Sequence, residues 1–173
     1  MAQKGVKGDV RAVIVCEDPQ RSAQAFLACM ILGTVPAQSA PRTMGRRADS
    51  QTARAVALSD AAYVLTDDDG LSCPAGVELI RLDNLDVAGA EPAAIVPNDP
   101  AATCYGQFSS GSTGQPKLIE VDSLRLCANL AALSERFNHD PRHDRWLGLS
   151  CAYVEDPQNH KRKASSYRNG RVF

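Results

Sequence analysis

The residues best suited to chemistry stand together at Ser109-Ser110-Gly111-Ser112-Thr113-Gly114-Gln115-Pro116-Lys117. Ser109, Ser110, Ser112 and Thr113 place four hydroxyls within five residues. Gly111 and Gly114 let the backbone take positive φ angles and approach a ligand closely. Lys117 adds a cation three residues after the second glycine. Successive backbone N–H groups, short hydroxyl donors and one positive charge are what a polyphosphate requires. A Ser/Gly-rich surface turn is the competing reading of the same composition. The segment is not a Walker A loop: Gly106 and Gly111 have that spacing, but Ser112 stands where the lysine belongs. Nor is it a serine-hydrolase elbow, because Gly111-Ser112-Thr113-Gly114 lacks the residue that G-x-S-x-G needs before its serine.

Such a loop works only where other elements hold it. Thr103 to Phe108 reads as a strand running straight into it, which sets the loop at the carboxyl end of a sheet strand, where such sheets usually bind ligands. Upstream, the apolar run Val10 to Cys16 reads as a buried strand, and Pro19 suits the first position of a helix running to about Leu32. That helix is expected to turn Phe26, Leu27, Met30 and Ile31 toward a core and to stop at Gly33. Thr34–Gln38, Ala62–Thr66 and Val77–Leu82 read as further strands, Ala48–Leu58 as a helix, and 83–100 as a surface excursion. A helix follows Asp122 to about Phe137, and Trp146–Leu149 reads as one more strand. Strands alternating with helices predict an α/β fold, a mostly parallel, doubly wound sheet flanked by helices. The ordered domain is expected over 1–150, with a polar, basic, disordered tail at 151–173.

Composition narrows the functional classes. Apolar residues make up 44% and charged residues 23%, a globular profile. A net charge of −1 and 5% aromatic residues speak against a nucleic-acid binder, which needs a basic surface and stacking platforms. The longest apolar run, Ala25 to Gly33, is about half of the ~20 residues a bilayer span needs. No charged start leads into an apolar stretch and cleavage site, so a cytoplasmic protein without a membrane span is expected. The six cysteines are widely and irregularly spaced, which predicts free thiols, mostly buried. His139, His143 and Cys151 make a metal-like cluster, but Pro141 breaks the helix that would align them, and a polar loop is the better reading. Asp67-Asp68-Asp69 reads as a turn, and the basic residues Lys161 to Arg171 as a solvated end.

The stretch Tyr105 to Lys117 resembles the phosphate-loop signature of the adenylate-forming (AMP-binding) ligases, and among them acyl-CoA synthetases and fatty acyl-AMP ligases. Phe26 to Pro36 is similar to a helix and turn of that family, Asp60 to Thr66 to its next strand, and Ala128 to Leu133 with Trp146-Leu147 to its acyl-AMP ligase branch. The resemblance runs from about Gly8 to Leu149 and implies the N-terminal part of an adenylate-forming enzyme. It implies a two-step reaction. A carboxylic acid, a fatty acid among the options, attacks the α-phosphate of ATP held with magnesium. The acyl-adenylate then passes its acyl group to a thiol of coenzyme A or a carrier protein. Ser109, Ser110, Ser112 and Thr113 would donate to phosphate oxygens, Gly111 and Gly114 would let the loop wrap, and Lys117 would neutralise charge. No catalytic residue and no metal ligand is carried over.

The sequence departs from that pattern in places. Leu118 stands where the family usually has glycine, which predicts a different exit from the loop. Asp122-Ser123 stands where a hydroxyl residue and histidine are common, so Asp122 is expected to repel an anion at the loop. The family's adenine-, ribose- and magnesium-binding motifs lie beyond the matching region. The expectation is a truncated ligase with no activity alone. A non-enzymatic nucleotide- or phosphate-binding module that complements or regulates another chain is the alternative from a different class.

Overall fold

The computed structural model describes residues 10–41, 48–85, 88–97, 99–109, 116–138, 140 and 142. Six strands form one sheet: β1 (Arg11–Val15), β2 (Val35–Gln38), β3 (Tyr63–Thr66), β4 (Glu78–Arg81), β5 (Thr103–Ser109) and β6 (Lys117–Asp122). Three helices accompany them: α1 (Pro19–Ile31), α2 (Ala48–Ser59) and α3 (Ser123–Phe137). The strand order is β4-β3-β1-β2-β5-β6. All pairings are parallel except that of β5 with β6. The mostly parallel α/β sheet expected from the alternation of elements is therefore the fold of this chain.

The chain builds this sheet by reversing direction. β1 connects through α1 to its neighbour β2, and β2 connects through α2 back past β1 to β3. Right-handed crossovers in opposite directions put their helices on opposite faces. Alternation along β1 feeds both layers. Ala12, Ile14 and Cys16 pack with Ala25 and Cys29 of α1, while Val13 and Val15 pack with Ala55 and Val56 of α2. A strand covered on both faces has no polar side, which is why Ala12 to Cys16 is uninterrupted in apolarity.

Helix α1 starts as expected. Asp18 caps it, its carboxylate accepting from Gln20 N at 2.8 Å, and Pro19 follows. Gly33, at φ 71°, carries the left-handed exit. The face it buries differs from expectation in part: Phe26 packs against the core as expected. Ser22, Ala25 and Cys29 are buried, whereas Leu27 and Ile31 are 59% and 44% exposed. Small residues allow the helix to lie close over the sheet, which leaves the bulky side chains at its flanks. Phe26 takes such a flank position, edge-on to Tyr105 at 5.7 Å between ring centroids.

The second departure is β6. The sequence reading begins a helix after Asp122 and assigns no element to Leu118–Val121. Instead, Lys117 to Asp122 returns antiparallel along β5. Arg11 at the start of β1 forms an ion pair with Glu120 and donates to the Ser59 carbonyl, and Thr103 Oγ1 donates to Glu120 at 3.2 Å. These contacts tie the hairpin to the α2 side of the sheet. Helix α3 then extends from β6 without a single buried residue. A short 3-10 turn, Leu82–Asn84, leads into the 83–100 segment; further along, Val96 N donates to the Ile31 carbonyl at the end of α1. Trp146–Leu149 and the tail 151–173 lie outside the described residues.

Candidate functional site

The segment expected to bind phosphate is flanked by β5 and β6. Ser109 ends β5 and Lys117 begins β6, and the two are register partners. Such partners lie about 5 Å apart between Cα atoms. The ends of the loop are thus pinned side by side at the carboxyl edge of β5, beside the carboxyl end of β2. Lys117 is exposed and Ser109 half-buried. No ion pair to Lys117 occurs among the described residues. Ser110, Gly111, Ser112, Thr113 and Gly114 lie outside the described residues.

Packing explains why the hairpin sits so close to β2. A side chain on Gly106 would begin 2.8 Å from Leu118 Cδ1 and 3.4 Å from Ala37 Cβ. Gly106 therefore provides room for Leu118 to lie across β5. Its role is packing rather than contact with a ligand. Leu118 correspondingly needs no left-handed backbone, because it is an ordinary strand residue opposite Phe108.

Asp122 does not stand near the loop. It pairs with Thr103 at the amino end of β5, five strand steps and about 17 Å from Lys117. Its carboxylate caps α3, accepting from Arg125 N at 2.7 Å, with Arg125 Nε 3.3 Å away. The expectation that Asp122 opposes an anion at the loop is overturned: the acid serves a helix terminus at the opposite edge of the sheet.

The carboxyl edge carries a second cluster of N–H groups, in the turn from β1 into α1. β1 and β2 lead to helices on opposite faces, and such a switch point is the usual ligand crevice of an open α/β sheet. Here Asp67, just after β3, fills that turn: its two oxygens accept from Glu17 N at 2.8 Å and Asp18 N at 2.9 Å. The chain's own carboxylate thus occupies the place of an anion. Its neighbours make local turn bonds, with Asp68 accepting from Gly70 N at 2.8 Å and Thr66 Oγ1 accepting from Asp68 N at 3.0 Å. The three aspartates therefore do work as a turn, and Asp67 adds a long-range tie that sequence spacing did not signal.

The thiols are poor nucleophiles where they are buried. Burial, with the nearby Asp67 charge adding, pushes Cys16 up to about 12. Burial pushes Cys29 to about 12 as well. Cys104 is buried, Cys73 half-buried and Cys127 exposed, all free. Among the described residues no group of three or more His, Cys, Asp or Glu side chains could hold a metal ion. His139, His143 and Cys151 lie outside the described residues.

Fold and edge together define an open, mixed α/β domain whose β5–β6 hairpin carries a hydroxyl and an exposed lysine at the carboxyl edge of β5. The chain belongs to the AMP-binding enzyme family, whose sequence model matches residues 1–154. It is 34% identical over 130 residues to an anthranilate–CoA ligase of Pseudomonas aeruginosa, covering 66% of this chain and 24% of that protein. It is 33% identical over 141 residues to a putative acyl-CoA synthetase of Caulobacter vibrioides, covering 75% and 24%. The fold is shared with O-succinylbenzoate coenzyme A synthetase from Bacillus subtilis in complex with AMP, at TM-score 0.70, 22% identity, and 86% and 39% coverage. It is also shared with a fatty acid AMP ligase from Legionella pneumophila, at TM-score 0.68, 20% identity, and 82% and 26% coverage. The chain spans about a quarter of the length of the two relatives. No described helix is long and apolar enough to cross a membrane.

Proposed function

We propose that this chain supplies the triphosphate-binding edge of an ATP-dependent ligase that activates a carboxylic acid as its acyl-adenylate. In that reaction a carboxylate oxygen bonds to the α-phosphorus, the α–β phosphoanhydride bond breaks, and pyrophosphate leaves with the electron pair. A thiol then displaces AMP from the acyl carbon. The residues of this chain hold the β- and γ-phosphates. Lys117 neutralises charge that grows on the leaving pyrophosphate, and the hydroxyls of Ser109, Ser110, Ser112 and Thr113 donate to its oxygens. Gly111 and Gly114 let the loop backbone come close.

One observation carries the reading: Ser109 and Lys117 pair across the hairpin at the carboxyl edge, with Lys117 exposed there. The N–H groups of the β1–α1 turn, by contrast, already donate to the carboxylate of Asp67. One loop with one lysine holds a phosphate weakly, and it supplies neither an adenosine pocket nor a metal site. The chain alone is therefore inactive in carboxylate-dependent exchange of pyrophosphate into ATP. Equilibrium titration with pyrophosphate, ATP and AMP tests the site. Pyrophosphate and ATP bind and AMP does not. AMP binding as tight as ATP would overturn the assignment of the loop to the β- and γ-phosphates.

A further inference from the structure

Helix α3 has the composition of an interior helix, yet none of its residues is buried. Leu126, Leu130 and Leu133 follow at spacings of four and three and make one apolar face. Leu124, Cys127, Ala128 and Ala131 stand three or four residues apart and make a second face. Leu124 and Leu133 are nine residues apart, which at 3.6 residues per turn puts the two faces on opposite sides. Arg125, Asn129 and Arg136 form a polar strip between them. Leu124, Leu130 and Leu133 are 60%, 56% and 47% exposed. Cys127, Ala128 and Ala131 are exposed as well. A surface helix carries one apolar stripe, whereas a helix apolar on opposite sides belongs inside a larger body.

The strand leading into α3 shares this exposure. Among the described residues β6 is an edge of the sheet, and its Ile119 is 49% exposed. The other edge, β4, differs: Ile80 is buried, Leu79 is partly buried against the core, and the charged Glu78 and Arg81 stand at its ends. The open apolar surface is thus gathered at the β6–α3 end of the sheet.

The relatives indicate what covers it. The matches to the anthranilate–CoA ligase and to the acyl-CoA synthetase take up 24% of each, so about three quarters of each lies outside the match. A body of that size can enclose a helix from two sides. A second copy of this chain, meeting α3 across a twofold axis, would cover one face and leave the other bare. We infer that β6 and both apolar faces of α3 pack against the part of an AMP-binding ligase that lies outside the matched region, with Arg125, Asn129 and Arg136 left toward water. This rests on the ligase role proposed above, but on none of its phosphate contacts.

Hydrogen exchange over 123–137 reads the cover directly. In the full chain alone these amides exchange far faster than those of β1, because no packing holds the helix closed. Coexpression with the part of the Caulobacter vibrioides protein outside the matched region slows them at least about tenfold. Where that part does not fold by itself, a fusion in which this chain replaces the matched region shows the same slowing. Three glutamate substitutions, all good helix formers, then map the faces. Leu133→Glu and Ala131→Glu, on opposite sides, each leave the thermal midpoint of the chain alone within about 2 °C of the parent and each abolish the slowing. Asn129→Glu, on the polar strip, keeps it. Slow exchange in the chain alone overturns the inference, and if that protection vanishes on dilution the helix belongs to a second copy. Slowing that survives either Leu133→Glu or Ala131→Glu overturns it too, as does fast exchange in both the coexpressed pair and the fusion. Titration with pyrophosphate is a separate readout, so failure of this inference and failure of the phosphate site are told apart.

Discussion

Replacing Asp67 by alanine removes the carboxylate that fills the β1–α1 turn. Two backbone N–H groups, of Glu17 and Asp18, then lose acceptors at 2.8 and 2.9 Å. A hydrogen bond to a charged group contributes about 1.5–3 kcal/mol. Glu17 and Asp18 are exposed, so water takes over part of each bond. A total loss of about 2 kcal/mol is therefore expected, which for a chain of this size lowers Tm by about 4–8 °C. The vacated N–H groups also stand at the start of α1, where an anion is favoured. Phosphate should then restore part of the loss. At ten times its Kd, a ligand bound only to the folded state returns about 1.4 kcal/mol. The assay is thermal unfolding of parent and Asp67→Ala across a phosphate series at fixed ionic strength. An Asp67→Ala chain as stable as the parent would refute the reasoning. So would a phosphate effect no larger in the variant than in the parent, because the turn would then not be a site that Asp67 closes.

Alkaline pH should weaken the fold. Cys16 and Cys29 titrate near 12 when folded and near 9 when unfolded, so stability is complete below about pH 9 and falls as pH rises toward 12; urea midpoints at pH 8 and pH 10.5 check this. Gly106→Val should cost about 1–3 kcal/mol by overpacking, and Leu118→Ala in the same chain should recover much of it, which a double-mutant cycle in urea measures. Glu120→Ala should cost less than about 1 kcal/mol, because both partners of its pair with Arg11 are partly exposed, and the effect should shrink with salt.

The parallel part of the sheet was legible because each of its elements is punctuated locally. Pro19 opens α1, Gly33 closes it, and the unbroken apolar run of β1 announces a strand covered on both faces. Strand β6 was missed although Ile119 and Val121, two residues apart, gave a β-branched, alternating signal. The Ser/Gly-rich loop drew attention to Lys117 as a ligand and away from its position as the first residue of a returning strand. The buried face of α1 was misread because size was taken as a guide to burial, whereas close helix–sheet approach selects Ser22, Ala25 and Cys29. The link from Asp67 to the β1–α1 turn joins residues about fifty positions apart, and no local spacing encodes it. Asp122 was misassigned for a related reason. Proximity in sequence to the loop suggested proximity in space, but a strand of six residues carries it to the far edge of the sheet.

The central claim is that the hairpin loop ending at Lys117 is the phosphate site and that Asp122 plays no part in it. Calorimetric titration of pyrophosphate into the parent chain, Lys117→Ala and Asp122→Asn tests both halves together. Removing one exposed cation from a phosphate contact costs about 1–2 kcal/mol, a factor of roughly 5–30 in affinity. Lys117→Ala is expected to show that loss, Asp122→Asn an affinity within about twofold of the parent, and binding should weaken as salt is raised. Equal pyrophosphate affinity in the parent and Lys117→Ala would contradict it.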